Sequence, residues 1–315
     1  MEPDHSGALK ILYEVFPDIK IVGNEKTALF IMGFYGIPDK NIMIVEDGDV
    51  LELGKHRVRF YLTPMVHLPE TMVSYEENCK ILFSGDAFGG FGSLNGGIFD
   101  DEVDLDYFEN EILRYYSNIV GNYSPMVQKA LERLKGLDIR IIAATHGPIF
   151  RKNPSYIISL YDKWSRYETE RGVVIVYASM YGNTQIMMES IARSLAEQGV
   201  DRIRIHNISR SHISYILTDI WRFKGLVLGS CTYNTKLFPP MEQLISILEN
   251  DRLKNRVMGI FGSYCWSGGA VKTLREFADR FKNTLVEPVI EVKYSPTEKD
   301  LEACVELGKN LAAKL

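Results

Sequence analysis

Six side chains in the first half of the sequence are of the kinds that hold transition metals. Glu2, Asp4 and His5 stand together in the opening Glu2-Pro3-Asp4-His5-Ser6-Gly7, and His67 closes Thr63-Pro64-Met65-Val66-His67. Asp86 lies in Ser84-Gly85-Asp86-Ala87-Phe88, and His146 in Ala144-Thr145-His146-Gly147-Pro148. Each falls in a short loop beside an apolar run, the kind of edge at which chemistry collects. Three imidazoles and three carboxylates placed this way can hold two cations, with Asp86 the natural bridge because a carboxylate has two oxygens to share. The oxygen donor of Glu2 in a histidine-rich set tilts the choice from zinc toward iron or manganese, which ligand type alone does not settle. Taken singly, the same residues have ordinary uses: Asp4 suits a helix cap, Glu2 and His5 a solvated surface, His67 and His146 the turns that lead into Pro69 and Pro148. The joint pattern carries the metal reading. His56, His206 and His212 lack such contexts and are expected to be surface or structural.

The second half offers a different chemistry. Ser179-Met180-Tyr181-Gly182-Asn183-Thr184 follows an apolar run and opens a helical pattern. Free amides at a helix N-terminus attract an anion, and the hydroxyls and the Asn183 amide add donors, so the segment reads as a phosphate cradle. It has neither the Gly-Lys-Ser/Thr of a nucleotide loop nor Gly-x-Gly-x-x-Gly, which disfavours a nucleoside triphosphate and NAD. With no lysine or arginine in the loop, it suits a terminal phosphate monoester. Two later loops, Ser230-Cys231-Thr232-Tyr233-Asn234 and Ser263-Tyr264-Cys265-Trp266-Ser267-Gly268-Gly269, are expected to converge on the same crevice. Tyr233, Tyr264 and Trp266 could stack on a planar ring there, and the glycines admit close backbone approach.

The elements that must position these loops alternate regularly in the second half. Strands are expected at 173–178, 202–208, 225–230, 256–262 and 288–294. Between the first two, Ile186, Met187, Ile191, Leu195 and Ala196 recur at helical spacing over 184–198, and Gly199 supplies a stop. This alternation implies a doubly wound parallel five-stranded sheet, whose ligand site lies where the strand order reverses, the arrangement in which flavodoxin holds FMN. The first half is a less regular α and β mixture. Helices are expected over 6–16, with Ala8, Ile11, Leu12 and Val15 on one face, and over 25–36, 104–119 and 125–135. Extended runs at 18–23, 42–45 and 58–62, a hairpin at 72–84 and a buried strand at 140–144 complete it. The polar stretch 164–171 marks the boundary, giving domains 1–168 and 172–315.

Composition narrows the class. The chain has 315 residues, 46% hydrophobic and 24% charged, enough for two globular cores. A formal net charge of −5 and no long run of lysine and arginine argue against nucleic acid. No apolar stretch is long enough to span a membrane, and the first residues do not read as a signal segment. Cys79, Cys231, Cys265 and Cys304 are scattered, which fits a reducing compartment, so a cytoplasmic protein is expected.

The motifs together resemble one family. Glu-x-Asp-His-Ser-Gly, a later His-x-Pro-Glu, Ser-Gly-Asp-Ala-Phe-Gly and Thr-His-Gly-Pro, then Ser-x-Tyr-Gly-Asn-Thr and Trp-Ser-Gly-Gly-Ala, are similar to the flavodiiron proteins. The resemblance implies a metallo-β-lactamase-like αββα domain with two irons, joined to a flavodoxin-like domain that binds FMN. It implies that Glu2 and His67 bind one iron, that Asp4, His5 and His146 bind the other, and that Asp86 bridges them. It further implies electrons entering FMN from a rubredoxin-like donor, reduction of O2 to water or NO to nitrous oxide, and a head-to-tail homodimer that brings the FMN of one subunit to the irons of the other. The family motif is His-x-Glu-x-Asp-His, and its first histidine would fall one position before Met1. The expectation is therefore a lactamase-like domain lacking its first strands, with one iron a nitrogen short. Leu68, Glu70 and Cys265 also depart from the residues the family often has, Trp, Asp and Gly. Two other readings stay open on the sequence: an FMN electron carrier with an inert metal domain, and a metal-dependent hydrolase.

Overall fold

Seven consecutive residues at the end of the strand Glu170–Ala178 are buried. A strand buried on both faces belongs in a parallel sheet covered by helices on each side. The computed structural model, which describes residues 1–281 and 283–315, divides into two compact units, Met1–Arg166 and Tyr167–Leu315.

In the first unit the elements are α1 (Pro3–Ser6), α2 (Leu9–Val15), β1 (Ile21–Gly23), α3 (Glu25–Tyr35), β2 (Ile42–Ile44), β3 (Val50–Leu53), β4 (His56–Leu62), β5 (Met72–Glu76), β6 (Ile81–Gly85), α4 (Leu105–Tyr115), α5 (Ser124–Leu134), β7 (Ile141–Ala144) and α6 (Pro154–Ser165). The five-stranded sheet runs β3-β4-β5-β6-β7, antiparallel except for the last pair, where β6 and β7 are parallel. That last pairing matters for the site: β6 and β7 leave the sheet in the same direction, delivering Asp86 and His146 to one edge. Val73 on β5 shares a small void with Val127, Ala130 and Leu134 of α5 and Tyr161 of α6, so these helices cover one face. β1 and β2 form a separate parallel ribbon. The helix expected over 6–16 is broken at Gly7 and Ala8 into α1 and α2, and Ile11, Leu12 and Val15, expected on one helical face, are exposed. The helix expected over 104–119 is capped by Asp104 and gives way at Tyr116 to a wider π-type turn.

The second unit contains β8 (Glu170–Ala178), α7 (Asn183–Glu197), β9 (Ile203–Asn207), α8 (Ile213–Arg222), β10 (Phe223–Cys231), α9 (Pro239–Asn250), β11 (Val257–Tyr264), α10 (Ala270–Arg280), β12 (Thr284–Leu285), β13 (Ile290–Lys293) and α11 (Glu298–Ala312). Reading across, the order is β9-β8-β10-β11, with β12 and β13 both on the outer side of β11. This is the doubly wound order with its reversal between β8 and β10. Side chains alternate between two cores: Val174, Val176, Leu226 and Leu228 face α8, α9 and α10, while Val173, Ile175 and Val227 face α7 and α11. Gly229 has no alternative on β10, since a Cβ there would lie 2.1 Å from the ring of Phe261.

The sheet has five positions, as expected, but six strands. The outermost is split into two short ladders around Pro288, which lacks an amide hydrogen to donate. β8 and β10 also begin earlier than the apolar runs suggest, because Phe223, itself buried in the core, pairs with Glu170.

Candidate functional site

The fold brings the six metal-type donors of the first unit into two groups that touch. Ligand atoms of Asp4, His5 and His146 lie within 4.8 Å of one another, and so do those of Glu2, His67 and Asp86. Asp86 faces both. Its Oδ1 is 2.8 Å from His5 Nε2 and 3.6 Å from His146 Nε2, and its Oδ2 is 3.0 Å from His67 Nε2. Glu2 approaches His67 at 3.4 Å, and Asp4 approaches His5 at 3.3 Å and His146 at 3.6 Å. The grouping matches the division that the family resemblance implies for two irons.

Local structure explains the placement. Proline at the first turn of α1 starts a helix of one turn, which puts Asp4 and His5 on adjacent positions while Glu2 stays extended before it. Gly85, with φ of +64°, turns the chain out of β6 so that Asp86 points back over the sheet edge. Thr145, from the Thr-His-Gly-Pro segment, donates its hydroxyl hydrogen to Asp86 Oδ1 at 2.9 Å and fixes the carboxylate.

Burial alone would raise the Asp86 pKa; the hydrogen bonds from His67 and Thr145 and the charge of His5 outweigh it and hold the group at about 2. Asp86 is therefore ionised at neutral pH, the form a metal requires. His67 is shifted upward, chiefly by its hydrogen bond to Asp86. Tyr115, on α4, is buried with its ring 5.5 Å from that of His146, and burial together with the charges of Asp86, Glu2 and Asp4 raises its pKa far above the ordinary range. No sequence signal singled out Tyr115, which stands in an ordinary amphipathic helix. A cavity of about 290 Å³ adjoins the centre, walled by Leu9, Val22, Leu68 and Met72 and by His5, Glu70, Asp86 and Thr145. Glu70, one of the family departures, is buried there, and its Oε2 has no hydrogen-bond partner among the described residues.

In the second unit, the loops after β8, β10 and β11 surround a cavity of about 200 Å³ at the strand-order reversal. It is lined by Ser179, Met180, Tyr181, Asn183 and Thr184 from the first loop, Cys231 and Thr232 from the second, and Ser263, Tyr264 and Cys265 from the third. Gly182, at φ of +93°, turns the chain into α7, and its amide donates to Ser179 Oγ at 3.1 Å. The opening amides of α7 are thereby presented at the pocket. The buried hydroxyls of Thr184 and Ser263 are 2.8 Å apart and tie the first loop to the third. The third loop is tied to the second by the Thr232 amide, which donates to the Ser263 carbonyl at 2.8 Å.

Gly182, Tyr233, Asn234, Trp266, Ser267 and Gly268 lie in the flanking turns and do not line this cavity. Tyr233 and Trp266 are exposed beside it, and Tyr233 pairs with Lys236 in a tight turn. Tyr294 and Ser295 were missed and do line it. They follow β13, so the rule that selected the other three loops, the carboxyl end of a sheet strand, would have found them.

Comparison with known proteins agrees with both units. Residues 1–147 match the model of the ODP family beta lactamase, and residues 175–308 match that of flavodoxin. The structure superposes on rubredoxin oxygen:oxidoreductase from the anaerobe Desulfovibrio gigas with a TM-score of 0.94 and 30% identity, over 99% of this chain and 79% of that one. The chain belongs to the flavodiiron protein family. The flavodiiron protein of Giardia intestinalis superposes with a TM-score of 0.90 and 27% identity, over 97% of this chain and 76% of that one. The anaerobic nitric oxide reductase flavorubredoxin of Escherichia coli O1:K1 is 34% identical over 99% of this chain, which spans 65% of the length of that relative.

Flavodiiron membership makes FMN and a non-haem iron pair the cofactors, and the residues present fit both. The histidine and carboxylate donors suit iron, and the ionised Asp86 faces both groups of donors. The lysine-free cradle at the start of α7, with buried hydroxyls behind it, suits the phosphate of FMN, and the exposed aromatic residues Tyr181 and Tyr294 line the same pocket. No helix among the described residues is long and apolar enough to cross a membrane.

Proposed function

We propose that this chain is a gas reductase that takes electrons through FMN to a diiron centre, reducing O2 to water and NO to nitrous oxide. The observation that carries the reading is the sharing of Asp86 between two groups of metal donors in a chain that also builds an FMN-type pocket. When bound, the cofactors supply the redox chemistry: FMN takes up and passes on electrons, and the irons offer the gas a place to be reduced.

The protein's own groups would set the stage. Glu2 and His67 would hold one iron and Asp4, His5 and His146 the other, and Asp86, its carboxylate oriented by Thr145, would serve both. Tyr115 keeps its phenolic proton at Oη and presents a neutral, buried wall beside His146. The cavity beside the centre is walled by Leu9, Val22, Leu68 and Met72 and carries the carboxylates of Glu70, which is paired with the Met1 ammonium, and Asp86, a lining that suits a small neutral gas better than an anionic ester or lactam. Both gases are included because the relatives' names divide between them: one is an oxygen oxidoreductase, the other a nitric oxide reductase. In this reading a small rubredoxin-like protein is the electron donor, a head-to-tail homodimer brings the FMN of one chain to the irons of its partner, and the protein works in the cytoplasm, a reading that the free cysteines support.

The test is direct. Protein carrying FMN and about two irons per chain, reduced chemically under anaerobic conditions, should consume O2 and NO, and His67→Ala should abolish both while leaving FMN bound. Reduced protein that carries both cofactors and turns over neither gas would overturn the assignment. Iron-free protein with intact FMN would favour an electron carrier, and zinc-loaded protein that cleaves esters would favour a hydrolase. Turnover per chain that persists on dilution to monomer would remove the dimer from the mechanism.

A further inference from the structure

The end of the five-stranded sheet remote from Asp86 carries a third group of metal-type donors. There the turn joining β3 to β4 ends at His56, and the turn joining β5 to β6 begins at Glu76. The two turns are tied, because Asn78 Nδ2 donates to the Lys55 carbonyl at 2.5 Å. His56 Nδ1 is 3.1 Å from Glu76 Oε1, which also accepts the Asn78 amide at 3.1 Å. Glu76 Oε2 accepts the Cys79 amide at 2.5 Å. One ligand atom each from His56, Glu76 and Cys79 lies within 4.8 Å of the others. Glu76 is buried, whereas His56 and Cys79 are exposed, so a fixed anchor stands beneath two donors that solvent can reach. The seven residues of β4, at about 3.3 Å each, put roughly 20 Å between His56 and the loop that carries His67. This group is therefore separate from the diiron donors.

We propose that His56, Glu76 and Cys79 form a second metal site that takes one borderline-soft divalent cation of the zinc class, with solvent as the fourth ligand. A nitrogen, an oxygen and a sulfur together select such an ion; magnesium and calcium want oxygen alone, and the diiron donors include no sulfur. The backbone amides of Asn78 and Cys79 take two of the roughly four acceptor positions of the Glu76 carboxylate; the other two face the His56 ring and the Cys79 thiol, whose hydrogens a metal would replace. Binding exchanges the Cys79 thiol proton, released to solvent, for a sulfur–metal bond, and takes the neutral imidazole of His56. Without a metal the Glu76 charge pushes the Cys79 thiol pKa up, so the ion itself brings about the thiolate form. The bound ion cross-links two hairpins and shields an exposed thiol. Sequence patterning did not show the site, because its donors come from different hairpins and His56 has no motif around it.

Cobalt(II) serves as a spectroscopic stand-in for zinc, added to protein already loaded with FMN and iron. One equivalent should produce sulfur-to-cobalt charge-transfer absorption, and zinc should displace it and slow alkylation of Cys79 as mapped by mass spectrometry. Cys79→Ser should abolish the absorption, and His56→Gln should weaken binding by at least about tenfold. Both substitutions leave the backbone hydrogen bonds to Glu76 in place, and unchanged iron and FMN contents would exclude misfolding as the cause of a loss. The proposal is overturned if the wild type gives no such absorption, if the absorption survives Cys79→Ser, or if His56→Gln leaves the affinity unchanged.

Discussion

The flavodoxin-like unit and the lactamase-like unit build their sites by different rules. In the former, each loop contributes a run of neighbouring residues, and four strand ends deliver them to one crevice. In the latter, a single turn supplies Glu2, Asp4 and His5, while His67, Asp86 and His146 arrive singly from three separate loops. A pocket made of runs tolerates the loss of one contact. A metal centre made of single donors does not, and a bridging donor is the least dispensable of all. The cores differ too: β8, β10 and β11 are buried on both faces, whereas α2 turns Ile11, Leu12 and Val15 outward.

The sharpest break between the units is expected from Asp86→Asn. It should bring iron from about two per chain to near none while FMN stays stoichiometric, as measured by metal analysis and flavin absorbance; retention of iron would show that the two groups do not depend on a shared bridge. Next in size is Ile191→Ala in α7, which empties a fully buried position between sheet and helix. It should destabilise the flavodoxin-like unit by about 2–5 kcal/mol in denaturant titration.

Asp251 gives that unit a pH dependence of its own. The carboxyl is buried, its Oδ2 has no hydrogen-bond partner among the described residues, and burial raises its pKa from 3.8 to about 7. The folded state therefore keeps a proton that the unfolded state releases near pH 4, so stability should fall as pH rises from about 4 to 7 and level off above. After allowance for partial solvation the loss should be about 2 kcal/mol, and Asp251→Asn should flatten the profile. Smaller again, Thr184→Ala removes the hydroxyl that meets Ser263 and should weaken FMN about tenfold by flavin fluorescence, with iron unaffected. The smallest effect is assigned to Ile11→Gln, within about 0.5 kcal/mol, because the side chain it replaces is 64% exposed. A cost comparable to that of Ile191→Ala would mean that the α2 face is covered in solution.

Much of this organisation was legible in the sequence, and unevenly so. The parallel sheet announced itself because strands buried on two faces are apolar throughout, and its loops could be placed from their position alone. The edge at Pro288 could not be foreseen as two ladders, since an apolar run does not say where its hydrogen bonds stop. In the other unit the donors stood out by residue type and motif, whereas the break of the first helix at Gly7 and Ala8 and the exposure of its apolar stripe did not. Helical periodicity shows that a face exists; what covers it is a tertiary matter. Tyr115 and the His56 cluster were silent for a related reason: their significance comes wholly from neighbours distant in the chain.

The parallel pairing of β6 with β7 has a consequence for folding as well as chemistry. It brings Asp86 and His146 to one edge, where Asp4 and His5 meet them, so an iron held there would act as a clasp on a loop that encloses almost the whole lactamase-like unit. Closing so long a loop restricts the unfolded chain far more than a local site would, and the metal pair should be worth most to the unit when its helices begin to loosen. Chelation would then lower the melting of this half of the molecule and leave the flavin-binding half to melt at its own temperature.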